Sequence, residues 1–256
     1  MIYVLGDSHS RSFSKNGNFF PLFVGAGKEN CFISDEVATN LKAGLSKILS
    51  NLPNASDVLL VLGEPDTRFY LGKGWTPWLE NTQDNTDRPN KKIYNSFLRY
   101  SALLKTLRTS FKHRFYILSV IPSVRPVQNK YVAIFNSYLR EFCKTNNFEF
   151  IDIEGLLLLD SSELNPIYIG DEVHLNNLIQ PLVENIFINN KVLSCSYYSD
   201  QVNFDGAEVH GDFVFNEKFS CFVYAPKFKN RGFKSIFSME VFKRFYKWLK
   251  RMCYEN

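Results

Sequence analysis

Short unbroken apolar runs alternate, over the first 190 positions, with longer stretches in which apolar residues return every third or fourth place. Ile2-Tyr3-Val4-Leu5 is stopped by Gly6, and a second run over 18–24 is stopped by Gly25. Val58-Leu59-Leu60-Val61-Leu62 is a third, and similar runs occupy 115–121 and 148–153. Runs of this length without polar alternation suit strands covered on both faces. Between them, Val37, Leu41, Leu45, Ile48 and Leu49 form one helical stripe over 34–52, with Ser34 as cap and Pro53 as stop. The spacing predicts further helices over 91–111, 129–145 and 176–189, the last with Pro181 as a kink or a late start. Residues 63–90, rich in Gly, Asn, Asp, Thr and Pro and carrying Trp75 and Trp78, read as a long loop.

Strand and helix alternate five times, which predicts a three-layer α/β/α domain over 1–190 with a flavodoxin-like parallel sheet. In such a sheet the working residues lie at the carboxyl ends of strands. That rule directs attention to the residues after Leu5, Val24, Leu62, Ile121 and Ile153. From 191 to 256 the pattern changes, predicting a small C-terminal extension, strand-rich over 192–224 and closed by a basic helix over 236–254.

Composition narrows the function classes. With 45% hydrophobic and 22% charged residues in 256, the chain belongs among globular proteins rather than disordered ones. The net charge of +4 is concentrated. Nine basic residues and one acid, Glu240, lie between Pro226 and Met252, and the rest of the chain is net acidic. A nucleic-acid partner is therefore not implied. Within the tail, Val241, Phe245, Trp248, Leu249 and Met252 form one stripe, and Lys243, Arg244, Lys247, Lys250 and Arg251 fill the other positions. Such a helix fits peripheral contact with an anionic membrane surface, or packing of its stripe on the domain.

There is no run of 18 apolar residues, and the first strand begins without a basic leader. The expected location is cytoplasmic, at the inner membrane surface. The five cysteines show no two-residue spacing and read as reduced, mostly buried thiols. The four histidines are far apart, so no metal site is expected. Gly25-Ala26-Gly27 lacks the third glycine of a dinucleotide fingerprint, and no cofactor is expected.

The candidate chemistry comes from four short segments. Gly6-Asp7-Ser8-His9-Ser10 follows the first strand, Val24-Gly25-Ala26-Gly27 the second, and Gly63-Glu64-Pro65-Asp66-Thr67-Arg68 the third. Asp171-Glu172-Val173-His174-Leu175 precedes the last helix of the core. A serine hydroxyl becomes a nucleophile when a base takes its proton, and His174 is a base with a midpoint near working pH. An aspartate three residues earlier can reach the same imidazole's Nδ1–H and stabilise the imidazolium. Ser8, on a tight turn after glycine, can turn its own N–H toward a developing oxyanion. His9 reads as structural or substrate-facing and His113 as solvated. His210, with Asp212, falls outside the core pattern. The two loop tryptophans fit sugar stacking or loop packing equally well.

In this order the segments resemble the GDSL-like, or SGNH, hydrolase superfamily of esterases, lipases, deacetylases and some acyltransferases, over residues 1–190. The resemblance implies Ser8 as nucleophile, with His174 and Asp171 completing a triad. It implies Gly25 or Gly27 as an oxyanion-hole donor, and Gly63 and Asp66 as the outer positions of the third segment. The family's usual Asn is Pro65 here, which removes a donor, and Arg68 is the expected substitute. A looser resemblance joins Gly-Glu-x-Asp followed by Arg to proteins of bacterial surface polysaccharides. The implied function is a serine-dependent esterase, deacetylase or O-acyltransferase acting on an acyl ester or acylated glycan. The alternative is a catalytically weak or inactive glycan-binding module on the same scaffold.

Overall fold

The structure, a computed structural model, describes residues 1–14, 18–24, 32, 34–69, 87–160, 162–171, 173–194, 211–216 and 221–226. At 68–69, 87–89, 211–216 and 221–226 it describes the backbone alone. Five strands run parallel: β1 (Ile2–Gly6), β2 (Phe19–Phe23), β3 (Asp57–Val61), β4 (Arg114–Leu118) and β5 (Glu149–Ile151). Their spatial order, β2-β1-β3-β4-β5, is the flavodoxin-like one, with the strand order reversing between β1 and β3. Two more strands, β6 (Gly211–Asn216) and β7 (Cys221–Pro226), form an antiparallel hairpin, and β7 pairs antiparallel with β2 through Leu22–Val223 and Phe23–Phe222. The strand-rich stretch beyond residue 191 thus contributes to the same sheet.

The apolar runs are unbroken because both faces of the sheet are covered. Tyr3, Leu5, Leu22, Val58, Leu60 and Ile117 point to one side, into a core shared with α1 (Asp35–Ser50), α3 (Asp87–Ser110) and α4 (Pro126–Thr145). Ile2, Val4, Leu59, Val61, Tyr116 and Leu118 point to the other, against Phe13, Leu157 of α5 (Glu154–Leu157) and Ile179, Val183 and Phe187 of α6 (Ile179–Asn189). Successive strand residues serve opposite layers, as the pleat requires.

Local signals explain where the helices begin. The Ser34 side chain accepts the Val37 N–H at 3.3 Å and caps α1. Pro126 opens α4, three residues before the position expected from the apolar stripe, because proline is suited to a first turn. Pro181 likewise sits in the first turn of α6, so the helix starts late rather than kinking. The long loop expected over 63–90 contains a helix, α2 (Glu64–Phe69), and α3 begins inside its far end. The chain enters α2 through Gly63 at φ +104°, a backbone angle that favours glycine.

Candidate active site

The carboxyl ends of β1 and β3 lie side by side at the point where the strand order reverses, and the site is built there. Gly6 ends β1 hard against β3: a Cβ at this position would stand 2.3 Å from the Val61 carbonyl oxygen. Asp7 follows, its N–H donating to that same carbonyl at 3.2 Å. Its Oδ1 accepts the His9 N–H at 2.9 Å and its main-chain oxygen accepts the Ser10 hydroxyl at 2.8 Å. The residue thus caps a 3₁₀ helix over Ser8–Phe13. Ser8 is the first residue of that helix and is partly exposed, whereas His9 is buried.

The second part of the site is the loop before α6. An antiparallel bridge joins Ile169 to Leu175, and the Gly170 and Asp171 N–H groups both donate to the His174 carbonyl, at 2.8 and 3.1 Å. The Ser12 hydroxyl donates to the Leu175 carbonyl at 2.7 Å, and the Gln180 amide donates to the Ser12 carbonyl. These bonds tie the loop to the 3₁₀ helix from residues more than 160 positions away.

The result is a Ser-His-Asp chain of hydrogen bonds. Ser8 Oγ and His174 Nε2 are 2.8 Å apart. His174 Nδ1 is 3.0 Å from both carboxylate oxygens of Asp171. An ionised carboxylate only accepts, so Nδ1 carries the ring proton and Nε2 accepts from the serine hydroxyl. Asp171 Oδ1 also accepts the Val173 and His174 N–H groups, both at 2.8 Å, and Oδ2 accepts from Arg11 Nη2 at 2.5 Å. Burial would raise the Asp171 midpoint, but the hydrogen bonds from the His174 ring, the His174 N–H and the Val173 N–H outweigh it and hold the carboxyl well below the usual range. His174 is lowered from its ordinary value, first by burial and then by the charges of His9 and Arg11, against the opposing pull of Asp171. It therefore stays neutral, as a base must, to below the usual histidine range.

The third segment differs from the sequence expectation. Asp66, an outer position of that segment, is implied by the resemblance as an oxyanion-hole or substrate residue. It is fully buried and its Oδ1 accepts the Phe32 N–H at 2.9 Å. It anchors the chain leading into α1, and a side chain without accessible surface offers nothing to a substrate. Pro65 lies in the first turn of α2, where its missing N–H costs the helix nothing. Glu64, the residue before it, is buried and its Oε2 is 3.1 Å from His9 Nε2. Gly25, Gly27 and the Arg68 side chain lie outside the described residues, as do Trp75, Trp78, His210 and the basic tail.

Of the two readings of His9 the structural one agrees with its burial, and the reading of His113 changes. His9 is 2% exposed and so does not face substrate. His113 is not simply solvated: its Nε2 is 3.1 Å from the Leu49 carbonyl and its ring stacks on Phe111. Cys143 is buried as expected, and burial pushes its thiol up to about 12. Among the described residues no cluster of His, Cys, Asp and Glu could hold a metal ion, and no helix is long and apolar enough to cross a membrane.

No protein-family model matches the chain, and no curated protein matches it by sequence. Solved structures do. An acetyl xylan esterase, AlAXEase, superposes with a TM-score of 0.51 at 14% identity, covering 75% of this chain and 100% of the other. The two share the three-layer α/β/α fold with a flavodoxin-like parallel sheet. A GDSL-like lipase of Bacteroides thetaiotaomicron gives a TM-score of 0.48 at 14% identity, covering 72% of this chain and 88% of the other. The OSK domain of Drosophila Oskar gives 0.49 at 13%, covering 73% and 86%. This scaffold brings together Ser8, Asp171 and His174, the residues singled out from sequence. It also brings in Arg11, His9 and Glu64, which sequence reasoning did not assign to the site.

Proposed function

We propose that this chain is a serine ester hydrolase working through Ser8, His174 and Asp171. The observation that carries this reading is the 2.8 Å approach of Ser8 Oγ to His174 Nε2, with Asp171 3.0 Å from the ring's other nitrogen. His174 takes the Ser8 proton as Oγ bonds to the ester carbonyl carbon. The tetrahedral oxyanion collapses, the C–O bond to the alcohol breaks, and His174 returns the proton to the leaving oxygen. Water, deprotonated by His174, then attacks the acyl-enzyme and frees Ser8. Asp171 stabilises the imidazolium in both halves. If a sugar hydroxyl replaces water in the second half, the same site performs O-acyl transfer.

The substrate class we favour is an acylated glycan made at the inner face of the envelope. Three features support it: the aromatic loop with Trp75 and Trp78, the basic amphipathic tail, and the presence of an acetyl xylan esterase among proteins of this fold. Labelling of the full chain by a fluorophosphonate probe, with Ser8→Ala as control, tests the serine. Acetate release from acetylated oligosaccharides tests the class. Unlabelled wild-type protein overturns the hydrolase reading.

Pro65 favours a second reading, a glycan-binding module without turnover. Losing one oxyanion donor costs on the order of 3 kcal/mol of transition-state stabilisation. That reading is selected if acetylated oligosaccharide binds but neither probe nor ester reacts.

A further inference from the structure

The two hydrogen bonds that hold His174 enter the ring at nearly opposite points, Nδ1 and Nε2. Such a pair fixes where the ring lies but leaves it able to rock about the line joining the two nitrogens. A contact on the ring's face removes that freedom. His9 supplies one: its ring centroid is 4.8 Å from that of His174, at an interplanar angle of 46°. His9 is itself held. Its N–H is bound by the Asp7 side chain at 2.9 Å, and its Nε2 is 3.1 Å from Glu64 Oε2. Both members of this His–Glu pair are nearly inaccessible, at 2% and 4% exposure.

A buried ionisable pair is costly to maintain and is weak evidence of stabilisation in its own right. Its location points to a use. His9 is next in sequence to Ser8, and Glu64 opens α2 just beyond β3, so the pair spans the junction between the two strand ends that build the site. We infer that His9 and Glu64 are positioning residues for the His174 imidazole, with Glu64 anchoring His9 and His9 bracing the face of the ring. The inference rests on His174 serving as the base in the proposed reaction. It assigns a role to the acidic residue that stands second in the Gly-Glu-x-Asp segment.

Among the described residues, four charged or titratable groups stand around His174. Asp171 faces it from its own loop, His9 and Arg11 from the 3₁₀ helix, and Glu64 of α2 stands behind His9. Removing the His9–Glu64 pair therefore changes both the freedom of the His174 ring and the positive charge beside it.

The test uses the full chain and p-nitrophenyl acetate, comparing Glu64→Gln, Glu64→Asp and His9→Phe with wild type. Glu64→Gln and His9→Phe should lower kcat by about 10- to 100-fold, with KM held within about two-fold. His9→Phe should also displace the acid limb of kcat/KM to higher pH, because less positive charge beside His174 makes the ring easier to protonate. Glu64→Asp keeps the carboxylate and should recover part of kcat. Nuclear magnetic resonance titration of the His174 ring in His9→Phe should show the same upward displacement without any turnover. If His9→Phe does not fold, the Glu64 variants decide. The inference is overturned if His174 titrates in His9→Phe as in wild type, or if the loss in the Glu64 variants falls on KM or on melting temperature alone. Failure of the serine reading looks different: Ser8→Ala would turn over ester like wild type, while the His174 titration would still move in His9→Phe.

Discussion

Arg11 Nη2 donates to Asp171 Oδ2 at 2.5 Å, so the carboxylate that faces His174 is also gripped from the opposite end of the chain. Arg11 is three residues beyond Ser8, on the same 3₁₀ helix. The helix that presents the serine is therefore also tied to the aspartate, and the first and last functional segments are joined by a direct ion pair.

From this contact, Arg11→Gln should lower ester turnover by roughly 10-fold, a loss of aim rather than of chemistry. It should also move the acid limb of the rate profile upward, since the Arg11 charge is one of the causes holding His174 low. Initial rates on p-nitrophenyl acetate from pH 4 to 9 check both (a pH range of about five units spans the histidine titration). An unmoved limb with full activity would show that the ion pair only decorates the surface.

The working form of His174 is neutral, and its folded midpoint lies below the ordinary 6.5. Activity should therefore persist below pH 6.5 and fall only on further acidification. Stability follows the same sign. The unfolded ring binds a proton more readily than the folded one, so this contribution is complete above the unfolded midpoint and declines as pH falls through it. Melting curves at a series of pH values should show that decline, and His174→Gln should flatten it.

Asp171→Asn should be nearly as damaging to turnover as Ser8→Ala or His174→Ala, each losing roughly 10³-fold or more. An amide at this position can donate to Nδ1, which moves the ring proton to Nε2 and removes the acceptor for the Ser8 hydroxyl. Steady-state kinetics on folded variants provide the measurement. A mild Asp171→Asn effect would place the base elsewhere.

Gly6→Ala tests the backbone that carries Ser8. The added methyl would meet the Val61 carbonyl oxygen at 2.3 Å, and β1 and β3 cannot separate without breaking their ladder. A destabilisation of on the order of 3 kcal/mol is expected, read as a lower melting temperature. Gly44→Ala, where the new methyl would meet nothing nearer than 3.7 Å, should be close to neutral by comparison.

Removal of residues 236–256 should abolish binding to anionic vesicles while leaving hydrolysis of a soluble ester intact. Each basic residue near such a surface contributes on the order of 1 kcal/mol, and the binding should weaken as salt is raised. Sedimentation with vesicles containing phosphatidylserine is the assay. Unchanged binding after truncation would remove the membrane role of the tail.

The parallel sheet was legible because each strand announces itself locally, as Val58 to Leu62 does with five apolar residues in a row. Ser8, Asp171 and His174 were legible because a strand-end turn and an Asp-x-x-His step are local patterns too. The His9–Glu64 pair spans 55 residues and leaves no periodic trace. Its only sequence signal was that both residues follow apolar strands that are neighbours in this topology. Helix α2 was missed although Pro65 marked a first turn, because the Gly and Asn content beyond it outweighed a single cue. Asp66 came to the site through the resemblance alone; its bond to the Phe32 N–H, 34 residues away, has no local trace in the sequence.

The pairing of β7 with β2 decides where the sheet presents an open side. β2 reads Phe-Phe-Pro-Leu-Phe, and an uncovered apolar strand is a template for another copy of itself. The hairpin covers its last two residues, Leu22 and Phe23, and extends the sheet out to β6. The covering strand lies far downstream of β2 in the chain, so a nascent molecule carries an exposed sticky border until its last quarter has been made. A chain shortened at residue 190 would keep that border for good. It could assemble its Ser-His-Asp arrangement and still be lost to self-association, so the fate of such a fragment would be set by its solubility rather than by its chemistry.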